Sequence, residues 1–255
     1  MVKKILSILL WLATAAGLVA LFIAARESYL KTPVKSVNLN IERDADSGFV
    51  KVSEVLAEVH NICGGAMIGT VNMDAVKKRL QANPWVAHSS AYVDLEGTLN
   101  IHLKEHYPAL RVFDLDGRSV YVTKEGIVLP PSKGYTPHLL IANGNFHFGN
   151  EAGHQLCDTL EADRNIINAM QVNNAIERNT FMRSCIGQIH CNSHNEFEIS
   201  ARGLDAQIIL GDTTQLDDKL RRLEAFMKQQ ITKEASRHWK TINLKYKNQI
   251  VCTKR

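Results

Sequence analysis

Asn83-Pro84-Trp85-Val86, running on to Leu99-Asn100-Ile101-His102-Leu103-Lys104-Glu105-His106-Tyr107-Pro108, is the stretch on which the fold of this chain turns. Proline disfavours the helical conformation of the residue before it, so Asn83-Pro84 stops any helix that reaches it. From Trp85 the chain reads as a strand through Tyr92-Val93-Asp94, and Glu96-Gly97 makes a turn. Leu99, Ile101 and Leu103 then line one face of a return strand. Trp85, at the junction of helix and hairpin, reads as a core aromatic, worth about 3–5 kcal/mol on truncation when fully buried.

Upstream, Asn72 is placed to cap a helix reaching about Ala82, with Asp74 in its first turn and Val76 and Leu80 as an apolar i,i+4 pair. Val52, Val55, Leu56 and Val59 recur at helical spacing before Gly64-Gly65. Val34, Val37, Leu39 and Ile41 alternate as a first strand. The predicted order over residues 34–106 is β-α-α-β-β.

Further upstream, Ile5 to Ala25 carries no charge. About 21 helical residues rise roughly 31 Å, the thickness of a bilayer core. A cleavable leader competes with this reading, because Ala13-Thr14-Ala15 fits a small-x-small site. Cutting there would strand Ala16 to Ala25 as an apolar tail, so an uncleaved anchor is expected. Lys3 and Lys4 before the helix favour an N-terminus held inside and a long domain exported.

Downstream of Pro108 the pattern becomes short strands. Residues 110–113, an Asp116-Gly117 turn and residues 119–122 predict a hairpin, and Ile127-Val128-Leu129 predicts a strand closed by Pro130-Pro131. A helix is predicted with Leu156, Leu160, Ile167 and Met170 on one face, interrupted by Asp163 and Asn174. Residues 186–189 and 197–200 predict strands paired about a polar turn, and residues 207–211 another strand. Thr214 with Asp217 approximates a capping box before a helix striped by Leu216, Leu220, Leu223 and Met227. Residues 241–252 predict one final strand, with Ile242, Leu244, Tyr246, Ile250 and Cys252 inward and Thr241, Asn243, Lys245, Lys247 and Gln249 outward. The fold class is therefore α+β: a single N-terminal transmembrane helix, a β-α-α-β-β module, and a mainly antiparallel β-domain with flanking helices.

The Pro-Trp-Val junction, the Leu-x-Ile strand and the ending Glu105-x-x-Pro108 resemble the polypeptide-transport-associated (POTRA) module as it occurs in the FtsQ/DivIB family of cell-division proteins. Asp116-Gly117 with Val128-Leu129-Pro130, and Ile209-Leu210-Gly211 with Lys219-Leu220, resemble the same family. So does Ile242-Asn243-Leu244-Lys245-Tyr246-Lys247-Asn248-Gln249-Ile250-Val251, which departs from the family pattern with Asn243 for an acid and Lys245 for an arginine. The resemblance spans nearly the whole chain. It implies a cytoplasmic tail over 1–4, a transmembrane helix over 5–25, a POTRA domain over 34–106, and a β-domain over 107–255 with a C-terminal edge strand. It also implies a non-catalytic inner-membrane scaffold at the division septum, its periplasmic domain recruiting FtsB- and FtsL-type coiled-coil partners and linking assembly to septal peptidoglycan synthesis. By matching position, Lys245, Tyr246, Asn248 and Ile250 are the expected partner contacts, and no cofactor is implied. From the residues alone, the same strand also reads as an edge whose Lys245 and Lys247 merely protect it from aggregation. A POTRA-bearing transport or outer-membrane assembly factor is the alternative, but such proteins repeat the module before barrel strands.

The composition argues against other classes. A net charge of +4, from 30 basic and 26 acidic residues, lacks the basic stripe of a nucleic-acid binder. No Gly-x-Ser-x-Gly, His-Glu-x-x-His or phosphate-binding glycine loop occurs. Cys185, His190, Cys191 and His194 are zinc-ligand types at a non-standard spacing, and a strand would turn His190 and Cys191 to opposite faces. The five cysteines, Cys63, Cys157, Cys185, Cys191 and Cys252, are odd in number and irregularly spaced, unlike a disulfide framework.

Overall fold

Helix α1, Val2–Leu30, is apolar on every side, with Leu6, Leu10, Trp11, Leu18, Leu21 and Phe22 all exposed. Within it, Leu6–Leu30 is long and apolar enough to cross a membrane. The computed structural model describes residues 2–43, 48–132, 134–148, 155–156, 161–231 and 239–255, which fall into two units, Met1–Glu105 and His106–Arg255.

In the first unit α1 is followed by β1 (Ser36–Glu42), α2 (Val52–Cys63), α3 (Met73–Gln81), β2 (Val86–Val93) and β3 (Thr98–Glu105). This is the β-α-α-β-β order read from the sequence. The strands stand in the order β1-β3-β2, with β3 parallel to β1 and antiparallel to β2. Asn72 caps α3 by accepting from the Ala75 amide (2.9 Å). Val55, Val59 and Cys63 of α2, Val76 and Leu80 of α3, and Leu99, Ile101 and Leu103 of β3 are all buried. Asn83 Oδ1 accepts from the Trp85 amide (3.0 Å), turning the chain from α3 into β2. The buried Trp85 ring lies flat on Phe49, with centroids 3.9 Å apart. Beside it, the buried Glu105 carboxylate accepts from the Val50 amide (3.0 Å) and pairs with Arg43 Nε (3.2 Å). The end of α1 is stitched to this unit, because Tyr29 Oη donates to the Val93 carbonyl (3.0 Å) and the Ile68 amide to the Thr32 carbonyl (2.9 Å).

The second unit is one nine-stranded sheet with helices against it. Its elements are β4 (Pro108–Phe113), β5 (Ser119–Thr123), β6 (Val128–Leu129), β7 (Leu140–Gly144), α4 (Glu161–Arg178), α5 (Thr180–Cys185), β8 (Ile186–Cys191), β9 (Phe197–Ala201), β10 (Gln207–Gly211), α6 (Leu216–Ile231), β11 (Trp239–Asn243) and β12 (Val251–Lys254). The spatial order is β12-β11-β10-β9-β8-β7-β4-β5-β6. Antiparallel pairings predominate, but β4, β7 and β8 run parallel to one another, and β11 runs parallel to β10. Leu110, Val112, Ala142, Ile189, Ile199, Ile208 and Ile242 turn to the core with Leu220 and Leu223 of α6.

Four sequence expectations need correction. Residues 241–252 are not one strand, because β11 ends at Asn243 and the chain returns antiparallel as β12. The α4 helix buries Ile166, Ala169, Met170, Val172, Ala175 and Ile176, while Ile167 is only half-buried. Leu156 precedes that helix, Leu160 lies outside the described residues, and Asn174 sits harmlessly on the exposed face. The Thr214 hydroxyl donates to Asp212 (2.7 Å), and Gln215, at φ 52°, stands directly before α6, so the Thr214–Asp217 capping box does not hold. Strand β7 and helix α5 were not legible in the sequence.

Trp85→Ala removes the Phe49 stack and leaves a cavity at the helix–hairpin junction, worth about 3–5 kcal/mol. The melting transition that reports the first unit is expected to fall by several degrees, at roughly 2–4 °C per kcal/mol, in full-length protein in detergent. An unchanged transition would mean that the ring does not hold this junction.

Candidate partner-binding edge

The β11–β12 hairpin forms one margin of the large sheet, so one side of β12 carries backbone groups that pair with no strand among the described residues. The strand is four residues long, and Val251, Thr253 and Lys254 are exposed while Cys252 is half-buried against the core. The Thr241 and Thr253 hydroxyls hydrogen-bond across the pair on one face of it.

Residues 244–250 make the loop between the two strands, and its shape follows from side chains. The Leu244 amide donates to the Ile209 carbonyl (2.9 Å), extending the contact with β10 one residue past β11. Asn243 Oδ1 then accepts from the Lys245 amide (3.0 Å), a local turn that competes with continued strand. Asn248 sits at φ 60°, a left-handed conformation that asparagine tolerates better than most residues. Arg222 of α6, its side chain 17% exposed, holds the loop from inside. Its Nη1 donates to the carbonyls of Tyr246 (2.9 Å) and Gln249 (2.7 Å), its Nη2 to that of Leu244 (3.3 Å), and its Nε to Asp218 (3.0 Å). These carbonyls cannot complete a strand ladder while they face the guanidinium, which is the physical reason that the expected single strand breaks here.

The four expected contact residues therefore share one loop, not one strand. Lys245 Nζ pairs with Glu196, whose carboxylate holds the ammonium above its ordinary range. Gly211, at φ 75°, makes room for that lysine: a Cβ there would come within 2.7 Å of the Lys245 side chain. Tyr246 is 50% exposed, contrary to the inward position expected of it. Asn248 with Lys247 borders a shallow groove beside Asp217 and Asp218, and Ile250 is half-buried against the core. Arg222 was missed in the sequence, since it reads there as one more charge on the polar side of an amphipathic helix.

The other candidate chemistry separates. Cys191 is buried and its thiol is pushed up to about 11 by desolvation, whereas His190 points to the other face and bonds Asn143 (3.0 Å). Cys185 lies beside Ser184, and His194 beside Ser193. A thiol held protonated is a poor zinc ligand. Cys63, Cys185, Cys191 and Cys252 are free thiols, and Cys157 lies outside the described residues.

A sequence profile described as FtsQ/DivIB, C-terminal related, matches residues 107–253, which is the greater part of the chain and nearly all of the second unit. The chain belongs to this FtsQ/DivIB family. The cell division protein FtsQ of Rhodothermus marinus is 25% identical over 213 residues, covering 82% of this chain and 73% of that protein. At this level the FtsQ/DivIB assignment carries a role in cell division, in a family of non-catalytic division proteins. The profile match takes in the hairpin, its loop and Arg222.

Arg222→Ala leaves three loop carbonyls without their donor. Amide exchange over 244–250 is expected to quicken and the second unit to melt lower, by at least a few degrees if about 1.5–3 kcal/mol rests on these charged bonds. Arg222→Lys is expected to restore little, because an ammonium lacks the planar fork that reaches all three carbonyls. Unaltered exchange in the alanine variant would show that the loop holds its shape without the arginine.

Proposed function

We propose that this FtsQ/DivIB-family protein is a division scaffold that captures an extended strand from an FtsB-type partner, beside an FtsL-type one, along β12. The observation that carries this reading is the open side of β12 next to the exposed Tyr246. Strand addition supplies affinity through backbone bonds and specificity through flanking side chains. At a net ~0.5–1.5 kcal/mol per bond, the roughly four outward groups of a four-residue strand fall short of the about 8 kcal/mol of a micromolar complex. Contacts from the loop must supply the rest. Tyr246 offers apolar area, Lys245 and Asn248 polar groups, and Ile250 with Val251 an apolar margin. No bond is made or broken in this role. The output is assembly at the septum of the inner membrane, linked to septal peptidoglycan synthesis.

In this reading α1 anchors the protein once in the inner membrane, residues 1–4 stay in the cytoplasm, and the chain beyond α1 lies in the periplasm, with a POTRA domain over 34–106 and the β-domain over 107–255. A reporter enzyme active only outside the cytoplasm, fused after Arg255, is expected to be active. A reporter active only inside the cytoplasm is expected to be silent at the same position, and the reverse pattern would sink the topology.

The edge is tested by co-purifying full-length protein with tagged FtsB- and FtsL-type proteins. Truncation after Ile250 deletes β12 and is expected to abolish capture. In a strand, adjacent amides face opposite sides, so a proline at either Cys252 or Thr253 removes an outward donor while the other disturbs the β11 pairing. One of these two variants is expected to lose capture with its melting temperature unchanged. Tyr246→Ala is expected to weaken capture by about 2 kcal/mol or more. Full capture by the truncated chain would rule β12 out as the docking edge.

A further inference from the structure

A cavity of about 460 Å³ opens in the second unit where the parallel strands β4, β7 and β8 begin, under the C-terminal half of α4. Its floor is apolar, made by Ala109, Leu140, Ile176 and Ile186. Its rim is basic. Lys124, from the turn after β5, and Arg202, just past β9, both line it; among the described residues neither has an ion-pair partner within 4 Å, although Glu125 beside Lys124 offsets part of its charge. Arg183 lies 3.9 Å from Glu177, the acidic residue of the lining, so those two largely offset one another. His138 completes the polar side.

Within this cavity stands Asn173, which is 1% exposed. Its Nδ2 makes a long bond to the Ala109 carbonyl (3.4 Å), and its Oδ1 is buried with no hydrogen-bond partner among the described residues. Exchanging the two amide atoms would set oxygen against oxygen at Ala109, so the orphan is the acceptor. A buried acceptor without a donor costs about 1–3 kcal/mol. Natural cores rarely carry such a group unless it serves a ligand or another purpose.

The two features together limit the ligand. The basic rim, with Arg202 the least compensated of its cations, calls for an anion, and the orphaned oxygen calls for an N–H or O–H donor beside that anion. A fully ionised inorganic anion offers acceptors alone and leaves Asn173 unsatisfied. A peptide with acidic side chains offers both, and its methylene groups suit the apolar floor.

We propose that this cavity binds a short acidic peptide segment of a partner protein. Its carboxylates pair with Lys124 and Arg202, and the Asn173 side chain turns its Oδ1 into the cavity to accept from one of the peptide's backbone amides. The site involves neither the loop over 244–250 nor β12, so it goes beyond the edge-strand reading and survives if that reading fails.

The test is calorimetric titration of full-length protein in detergent micelles with acetyl-Ala-Glu-Glu-amide. Acetyl-Ala-Gln-Gln-amide and sulfate, which carries no O–H at neutral pH, serve as comparisons. The acidic peptide is expected to bind at least about tenfold more tightly than either. The double variant Lys124→Gln, Arg202→Gln is expected to lose that preference. Asn173→Leu is expected to weaken the peptide about tenfold while leaving the melting temperature of empty protein unchanged or raised, since the orphaned oxygen stabilises nothing there. Absence of acidic-peptide binding, equal binding of sulfate or of the glutamine peptide, or indifference to the double variant would each overturn the proposal. So would an Asn173→Leu protein that melts lower yet binds the peptide unaltered, because Asn173 would then be structural.

Discussion

The parallel pairing of β11 with β10 is the constraint on which the β12 margin of the large sheet depends. Parallel neighbours cannot be joined by a tight turn, so the chain must leave the sheet after β10 and return through a helix. Helix α6 makes that crossing, and its start is fixed from within. The Lys219 ammonium, itself buried, donates to both the carbonyl (2.9 Å) and the carboxylate (2.8 Å) of Asp212, and with Thr214 holds that carboxyl down at about 2. Less than one turn further along α6, Arg222 reaches the loop that follows β11. One helix thus brings the chain back beside β10 and supports the hairpin that forms the new margin. The antiparallel step from β11 to β12 then sets the exposed strand one place beyond the crossover.

The two units solve the problem of a sheet margin differently. In the small sheet, β1 alternates exposed polar residues with half-buried Val37, Leu39 and Ile41, and α2 and α3 cover one face. In the large sheet, the far margin is β6, only two residues long and buried, while β12 at the other margin is exposed. Very short margins are one of the devices by which proteins avoid sticking to their own kind. Lys254 on β12, with Lys245 in the preceding loop, adds charge to that protection. The same properties that hinder self-pairing leave room for a partner whose own side chains match the loop, so protection and recognition are not opposed readings of this edge.

Much of this was legible because local signals and tertiary structure agree. Asn72 caps where its position predicts, Asn83-Pro84 stops the helix, and Leu99, Ile101 and Leu103 all reach the core. Agreement failed where a distant side chain overrules a local pattern. Residues 241–252 alternate well enough to pass for one strand, and only Arg222, some twenty residues earlier in the sequence, shows why the ladder breaks at Leu244. Strand β7 was missed for a different reason. Leu140-Ile141-Ala142-Asn143-Gly144 lies between two parallel neighbours and shows no clean alternation, which is typical of strands paired in parallel on both sides. Asn173 is invisible in sequence as anything but a polar interruption, and its orphaned oxygen appears only when the surrounding strands are in place.

The brevity of β12 has a meaning in time as well as in energy. If the proposed capture has a micromolar affinity, ordinary association rates of about 10⁵–10⁷ M⁻¹s⁻¹ make the partner strand depart within roughly a tenth of a second to ten seconds. A longer edge would hold its guest for hours. Under the proposed strand capture, four residues favour turnover of the partner over lasting attachment.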